Sequence, residues 1–146
     1  MYRENPIGAC GTDGNESLSH HPNYIGTKEM ILRKGAIAAH KDENVLIPIN
    51  MRDGSVLAIS KGNLDWNFSA PHGAKRIMSR MQAKERLSLA EYKKEMEGVY
   101  TTSIGTDTLD EAPMAYKSLS DILDVIGDTV EIIDVMKPVY NFKAAE

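Results

Sequence analysis

The apolar residues of this chain come in short bursts, and that spacing constrains its fold more than any other feature. Met30-Ile31-Leu32, Ala36-Ile37-Ala38-Ala39, Val45-Leu46-Ile47 and Val56-Leu57-Ala58-Ile59 follow one another between glycine, proline and Asp-Gly signals. Short runs rich in β-branched residues and bounded by turn formers read as a strand meander. None exceeds about five residues, far below the ~20 that a membrane-spanning helix needs, so no membrane segment is expected. The length of 146 residues suits one domain. Hydrophobic residues at 42% and charged residues at 26% exclude bulk disorder and a coiled coil as the main architecture.

Residues 1–27 are polar, rich in Gly, Asn, Ser, Thr and His, and lack apolar periodicity. They read as a loop-like or disordered segment ahead of a domain over 28–146. The run Val45-Leu46-Ile47 is expected to stop at Pro48. Ser69-Ala70-Pro71 is expected to open a helix, with Ser69 as N-cap and Pro71 in the first turn. Ile77, Met78 and Met81 would form its apolar stripe, and Arg76, Arg80 and Lys84 would share another face. Ser88-Leu89-Ala90-Glu91 is a capping box for a second helix that Gly98 closes. A third helix spans Leu119 to Ile126 before Gly127. Thr129 to Lys143 alternates like a strand, interrupted at Pro138. Strands and helices mix without a regular βαβ rhythm, so the fold class is α+β: a short strand meander plus about three helices.

The first residues, Met1-Tyr2-Arg3-Glu4-Asn5-Pro6, carry no apolar h-region, so no signal peptide is expected. A single cysteine, Cys10, leaves no intramolecular disulfide and no Cys-based zinc cluster. It fits a reducing, cytoplasmic setting. The net charge of −4 argues against indiscriminate nucleic-acid binding, but the charges are not evenly spread. Lys75, Arg76, Arg80, Lys84 and Arg86 face only Glu85, whereas from Asp107 to Asp134 the acidic residues face only Lys117. A local cationic patch on an acidic protein suits a specific anionic ligand, or is simply a solvated helix face.

His72 is the leading chemical candidate. At a helix start, between Pro71 and Gly73 and ahead of several cations, it would sit beside free backbone N–H groups that hold an anion. Gly73 and Ala74 would let a ligand approach the backbone. A neutral imidazole there is a nucleophile toward phosphorus; it is equally an ordinary helix-start hydrogen-bonding residue, and spacing alone does not separate the two. His20-His21 could supply metal ligands or be solvated loop residues, and two imidazoles do not make a tight site. Arg33, Lys34, Lys61 and Lys143 are candidate phosphate or base contacts, or plain surface cations. Tyr116 could stack on a base or line the core. No Walker loop, dinucleotide-binding glycine motif, nucleophile elbow or zinc spacing occurs.

Several of these stretches, in order and spacing, resemble the RtcB family of RNA ligases. They are Arg33-Lys34-Gly35-Ala36-Ile37, Lys61-Gly62-Asn63 through Asn67-Phe68-Ser69-Ala70-Pro71-His72-Gly73-Ala74-Lys75-Arg76-Ile77-Met78-Ser79-Arg80, Asp110-Glu111-Ala112-Pro113-Met114-Ala115-Tyr116-Lys117, and the ending Lys137-Pro138-Val139-Tyr140-Asn141-Phe142-Lys143. The resemblance runs from about Glu16 onward and matches only the C-terminal part of the usual, longer member. It implies the C-terminal half of the family fold. It also implies a ligase dependent on GTP and manganese that joins an RNA 3′-phosphate, or 2′,3′-cyclic phosphate, to a 5′-hydroxyl end. His72 would attack the α-phosphorus of GTP and become guanylylated. Gly73, Ala74 and Lys75 would line the nucleotide pocket with Pro48, Ile49, Asn50, Met51 and Ser55, while Tyr116 and Lys143 would contact the guanine nucleotide. His21 with Asn23 resembles a His-Asn pair that supplies a manganese ligand.

The chain departs from the family pattern in instructive places. Lys75 replaces the usual second glycine of the His-Gly-Ala-Gly-Arg motif, adding a cation where glycine allows close backbone approach. Pro48-Ile49-Asn50-Met51-Arg52-Asp53-Gly54 differs from the common Pro-Gly-Ser-Met-Gly loop. Pro22 splits the His-Asn pair, so either His20 or His21 would be the ligand. The N-terminal half, with its metal-binding cysteine and histidines, has no counterpart beyond a faint echo in Ile7-Gly8-Ala9-Cys10-Gly11. The expected partners are therefore RNA ends, GTP, and a separate N-terminal half or a second copy. The alternative function is a non-catalytic GTP- or RNA-end-binding module, or an inactive remnant.

Overall fold

The computed structural model describes residues 23–143. Two antiparallel strands, Asn44–Asn50 and Gly54–Ser60, form the centre of the fold. In chain order, the described strands are β1 (Asn23–Gly26), β2 (Ile31–Lys34), β3 (Ala36–Ala38), β4 (Asn44–Asn50), β5 (Gly54–Ser60), β6 (Ser69–Pro71), β7 (Tyr100–Thr101), β8 (Val130–Met136) and β9 (Tyr140–Asn141). The α-helices are α1 (Arg80–Arg86), α2 (Leu89–Glu95) and α3 (Leu119–Ile126). The mixed content fits the α+β expectation and the C-terminal part of the fold that the resemblance implies.

Pairing is not a single meander. β1 pairs with β2, β3 with β6, and β7 runs parallel to β9. The three-stranded sheet has the order β4-β5-β8, so its third strand comes from far along the chain. Its core face carries Val45, Ile47, Val56 and Ala58, all essentially buried, and α3 lays Ile122 and Ile126 against them. Each valine or isoleucine among them contributes about 1.5–3 kcal/mol on burial. A second cluster of Met51, Tyr92, Met96, Leu109 and Ala112 lies beyond the β4–β5 turn. Tyr92 links it to that turn by donating its hydroxyl to the Met51 sulfur at 3.0 Å.

The β4–β5 turn is fixed by its own residues. Asn50 Oδ1 accepts the N–H groups of Arg52 and Asp53, and Arg52 pairs with Asp53 and Glu95. Gly54 follows at φ +80°, where a Cβ would lie 2.0 Å from the Met136 carbonyl oxygen of β8. Only glycine fits there.

Three expectations need correction. β4 runs through Pro48 to Asn50 rather than stopping at it. Among the described residues β4 pairs only with β5, and on such an edge the missing proline N–H costs no ladder bond. The helix expected at Ser69 is strand β6, which pairs Ala36, Ile37 and Ala38 with Pro71, Ala70 and Ser69 and buries Ala70. The helix begins only at Arg80, where Ser79 and Gln82 form a capping box, and the supposed stripe residues Ile77 and Met81 are exposed. Finally, Asn23–Gly26, inside the segment read as loop, forms β1. The Ser88 capping box of α2 and the Leu119–Ile126 span of α3 before Gly127 are as expected, and α3 also has a capping box, from Ser118 and Asp121. No helix among the described residues is long and apolar enough to cross a membrane.

Candidate functional site

A cavity of about 540 Å³ opens where the β4–β5 turn, the segment after β6 and the chain beyond β8 meet. That volume lies within the range of sites that take a nucleotide-sized ligand. Its first wall is the end of β4, Pro48–Met51, with Ser55 of β5. Its second is His72, Gly73 and Ala74. The third comes from Glu111 and Tyr116, and the fourth from Met136–Pro138 and Asn141–Lys143.

The second wall is docked on the first by backbone. Ala74 donates its N–H to the Pro48 carbonyl at 2.9 Å, and a Cβ on Gly73 would stand 3.0 Å from the same oxygen. His72 is exposed at the cavity, following β6. A Cβ on Gly35 would lie 3.8 Å from its ring, so the β2–β3 link flanks the imidazole. The expected row of free helix amides beside His72 is absent, because no helix starts there and the Ala74 amide is already engaged.

The third wall is held by charge. Glu111 accepts the Tyr116 hydroxyl at 2.9 Å and the Lys143 ammonium at 3.2 Å, and it pairs with Arg76. Arg76 also packs over the Tyr116 ring, 4.8 Å from its centroid. Burial pushes the Glu111 carboxyl up, but the Tyr116 hydroxyl, Lys143 and Arg76 outweigh it and hold it below the usual range. Burial, reinforced by the Glu111 carboxylate, pushes the Tyr116 phenol far above its ordinary value.

The cationic run is largely spoken for. Asp110, buried beside Glu111, lies within 3.9 Å of Arg76, 3.7 Å of Arg80 and 3.6 Å of Lys84. Arg80 and Lys84 share a face of α1 as expected, Arg76 lies ahead of the helix, and all three converge on a carboxylate of the acidic segment. Lys75 is exposed and does not line the cavity; its carbonyl accepts the Lys117 N–H. Arg33 is a buried clamp whose guanidinium donates to Ser69 and to the carbonyls of Asn67 and Phe68. Lys61 donates to the Gly127 carbonyl at the end of α3. Asn23 stands apart from the cavity and accepts the Gly35 N–H at 3.1 Å, which ties β1 to the residue flanking His72. His20 and His21 lie outside the described residues.

A family profile described as tRNA-splicing ligase RtcB matches residues 16–144. The chain belongs to the RtcB family. The RNA-splicing ligase RtcB of Escherichia coli K12 is 31% identical over 134 residues, covering 88% of this chain and 33% of that protein. The tRNA-splicing ligase RtcB of Aeropyrum pernix is 34% identical over 116 residues, 67% of this chain and 24% of that one. This RtcB-family chain thus spans about a third of the length of the curated relatives it matches.

Sequence reasoning missed Glu111, Met136–Pro138, Asn141 and Phe142 as wall residues of the RtcB-family cavity. A signal for Glu111 was present: an acidic pair, Asp110-Glu111, opposite a concentrated cationic run. The segment 136–138 carries no such signal, because its place follows from β8 pairing with β5.

Proposed function

We propose that this chain forms the nucleotide-binding part of an RtcB-type RNA ligase, with His72 as the residue that takes GMP from GTP. In this reading a lone pair of the His72 imidazole attacks the α-phosphorus. The bond from that phosphorus to the pyrophosphate oxygen breaks, and pyrophosphate leaves with the electron pair. The GMP then moves to an RNA 3′-phosphate, freeing His72, and a 5′-hydroxyl oxygen displaces GMP to join the ends. The observation that carries the reading is convergence. Pro48–Met51, Ser55, His72, Gly73, Ala74, Tyr116 and Lys143, spread over most of the described chain, line one cavity.

The chain's own residues bind and orient in this scheme. Ala74 anchors the His72 segment, and Gly73 gives it room. Manganese would supply charge stabilisation at the phosphates. Among the described residues no three His, Cys, Asp or Glu side chains converge, so residues 23–143 do not by themselves fit the ion. His20 or His21 would contribute one ligand, and further ligands would come from more of the same polypeptide, a separate chain or a second copy.

The test is the intact mass of the purified chain after incubation with GTP and manganese. A GMP-sized increase that maps to His72 and vanishes in His72→Ala is the expected result. An undiminished adduct in His72→Ala would overturn the nucleophile assignment. GTP binding without an adduct would favour a non-catalytic binding module.

A further inference from the structure

Glu111 gathers three groups that sequence places far apart. One carboxylate oxygen accepts from the Tyr116 hydroxyl and from Lys143, and the other pairs with Arg76. Lys143 is otherwise exposed, with its backbone N–H given to the Ser103 hydroxyl. Glu111 is what ties its flexible stem to the cavity wall among the described residues. The carboxylate also divides the cavity by charge. An ionised carboxylate is a poor neighbour for phosphate, so the Glu111 end suits a neutral polar ring and the His72 end suits the phosphates. An ammonium offers donors only. Held at the cavity wall, it matches a carbonyl acceptor on a ring and opposes an amino group in the same place.

We propose that Glu111 is a positioning residue for base selection: it fixes the Lys143 ammonium where a 6-oxo purine can accept from it, and so sets a preference for guanine over adenine nucleotides. The proposal rests on the reading that the cavity takes a guanine nucleotide. Glu111 acts through Lys143 and touches no reacting atom.

The test measures affinities of the full chain for GTP and ATP by calorimetry in Glu111→Gln, Lys143→Met and the double variant. Glu111→Gln should lower the GTP-over-ATP preference about tenfold. Lys143→Met should remove it, and the double variant should match Lys143→Met. Equal weakening of both nucleotides by Glu111→Gln, or additive losses in the double variant, would mean a merely structural role and overturn the proposal. If Glu111→Gln does not fold, Lys143→Met alone still decides, since a preference that survives it leaves Glu111 nothing to position. A wild-type chain that binds GTP no better than ATP would overturn the guanine reading itself, and this proposal with it. A wild-type chain that discriminates beside a Glu111→Gln variant that discriminates equally would overturn this proposal alone.

Discussion

Ala74 donates its backbone N–H to the Pro48 carbonyl oxygen across 2.9 Å. That bond fastens the segment carrying His72 to the edge of the central sheet. Gly73 leaves room for it, since a Cβ there would crowd the same oxygen at 3.0 Å. A glycine that does no chemistry thus helps to set the position of the candidate nucleophile.

Gly73→Val should therefore displace the His72 segment while leaving both core clusters intact. The expected outcome is a ten- to hundredfold slower formation of any GMP adduct, the scale of an ångström-sized misplacement, with a nearly unchanged melting temperature. Adduct formation at the wild-type rate would show that the docking to Pro48 is dispensable.

Gly54→Ala attacks the fold instead. The new methyl would lie 2.0 Å from the Met136 carbonyl at a φ of +80°. We expect a loss of about 3 kcal/mol, from backbone strain and separation of β5 from β8. Urea unfolding measures it. A cost below about 1 kcal/mol would mean that β8 yields readily at this point.

Asp110→Asn should leave Arg76, Arg80 and Lys84 crowded without their shared carboxylate. Arg80 and Lys84 side chains are 51% and 40% exposed, so water screens much of the effect. The expected loss is about 1–2 kcal/mol. It should shrink in high salt, which screens the repulsion left behind. A salt-independent loss would point to packing rather than charge.

Acid should selectively weaken what Glu111 contributes. Its folded carboxyl is held below the ordinary value of 4.5. Its contribution is then complete above that value and is lost as pH falls through the lower, folded value. Wild type and Glu111→Gln should differ most in urea midpoint near neutrality and converge in acid. A gap that stays constant on acidification would show that the ionised form is not the stabilising one.

The helices α2 and α3 were legible because their signals are local: a serine with an acidic residue three positions on for α2, and a glycine after the last turn for α3. The helix at Ser69 was misread for the same reason. Ser69 and Pro71 imitate a helix start, but Ala70 is buried in a strand that pairs with Ala36–Ala38. That pairing is a long-range fact that no local signal carries. The cavity followed the same division. His72, Pro48–Met51 and Ser55 could be named from motif resemblance. Glu111 was passed over as background charge because its partners Arg76, Tyr116 and Lys143 meet it only in three dimensions. Lys75, read as lining the nucleotide pocket beside His72, is exposed and off the cavity wall.

The order of the sheet, β4-β5-β8, has a consequence for how the protein is made. β4 and β5 form a local hairpin, yet β5 finds its second neighbour only after residues 130–136 exist. The wall from Met136 to Lys143 follows later still. During synthesis, the hairpin and α2 are available long before the cavity can close. A chain interrupted before Met136 would keep the β4–β5 hairpin and α2 in its sequence while the cavity lost a whole wall, so the shape of this cavity is written last although its first wall is written early.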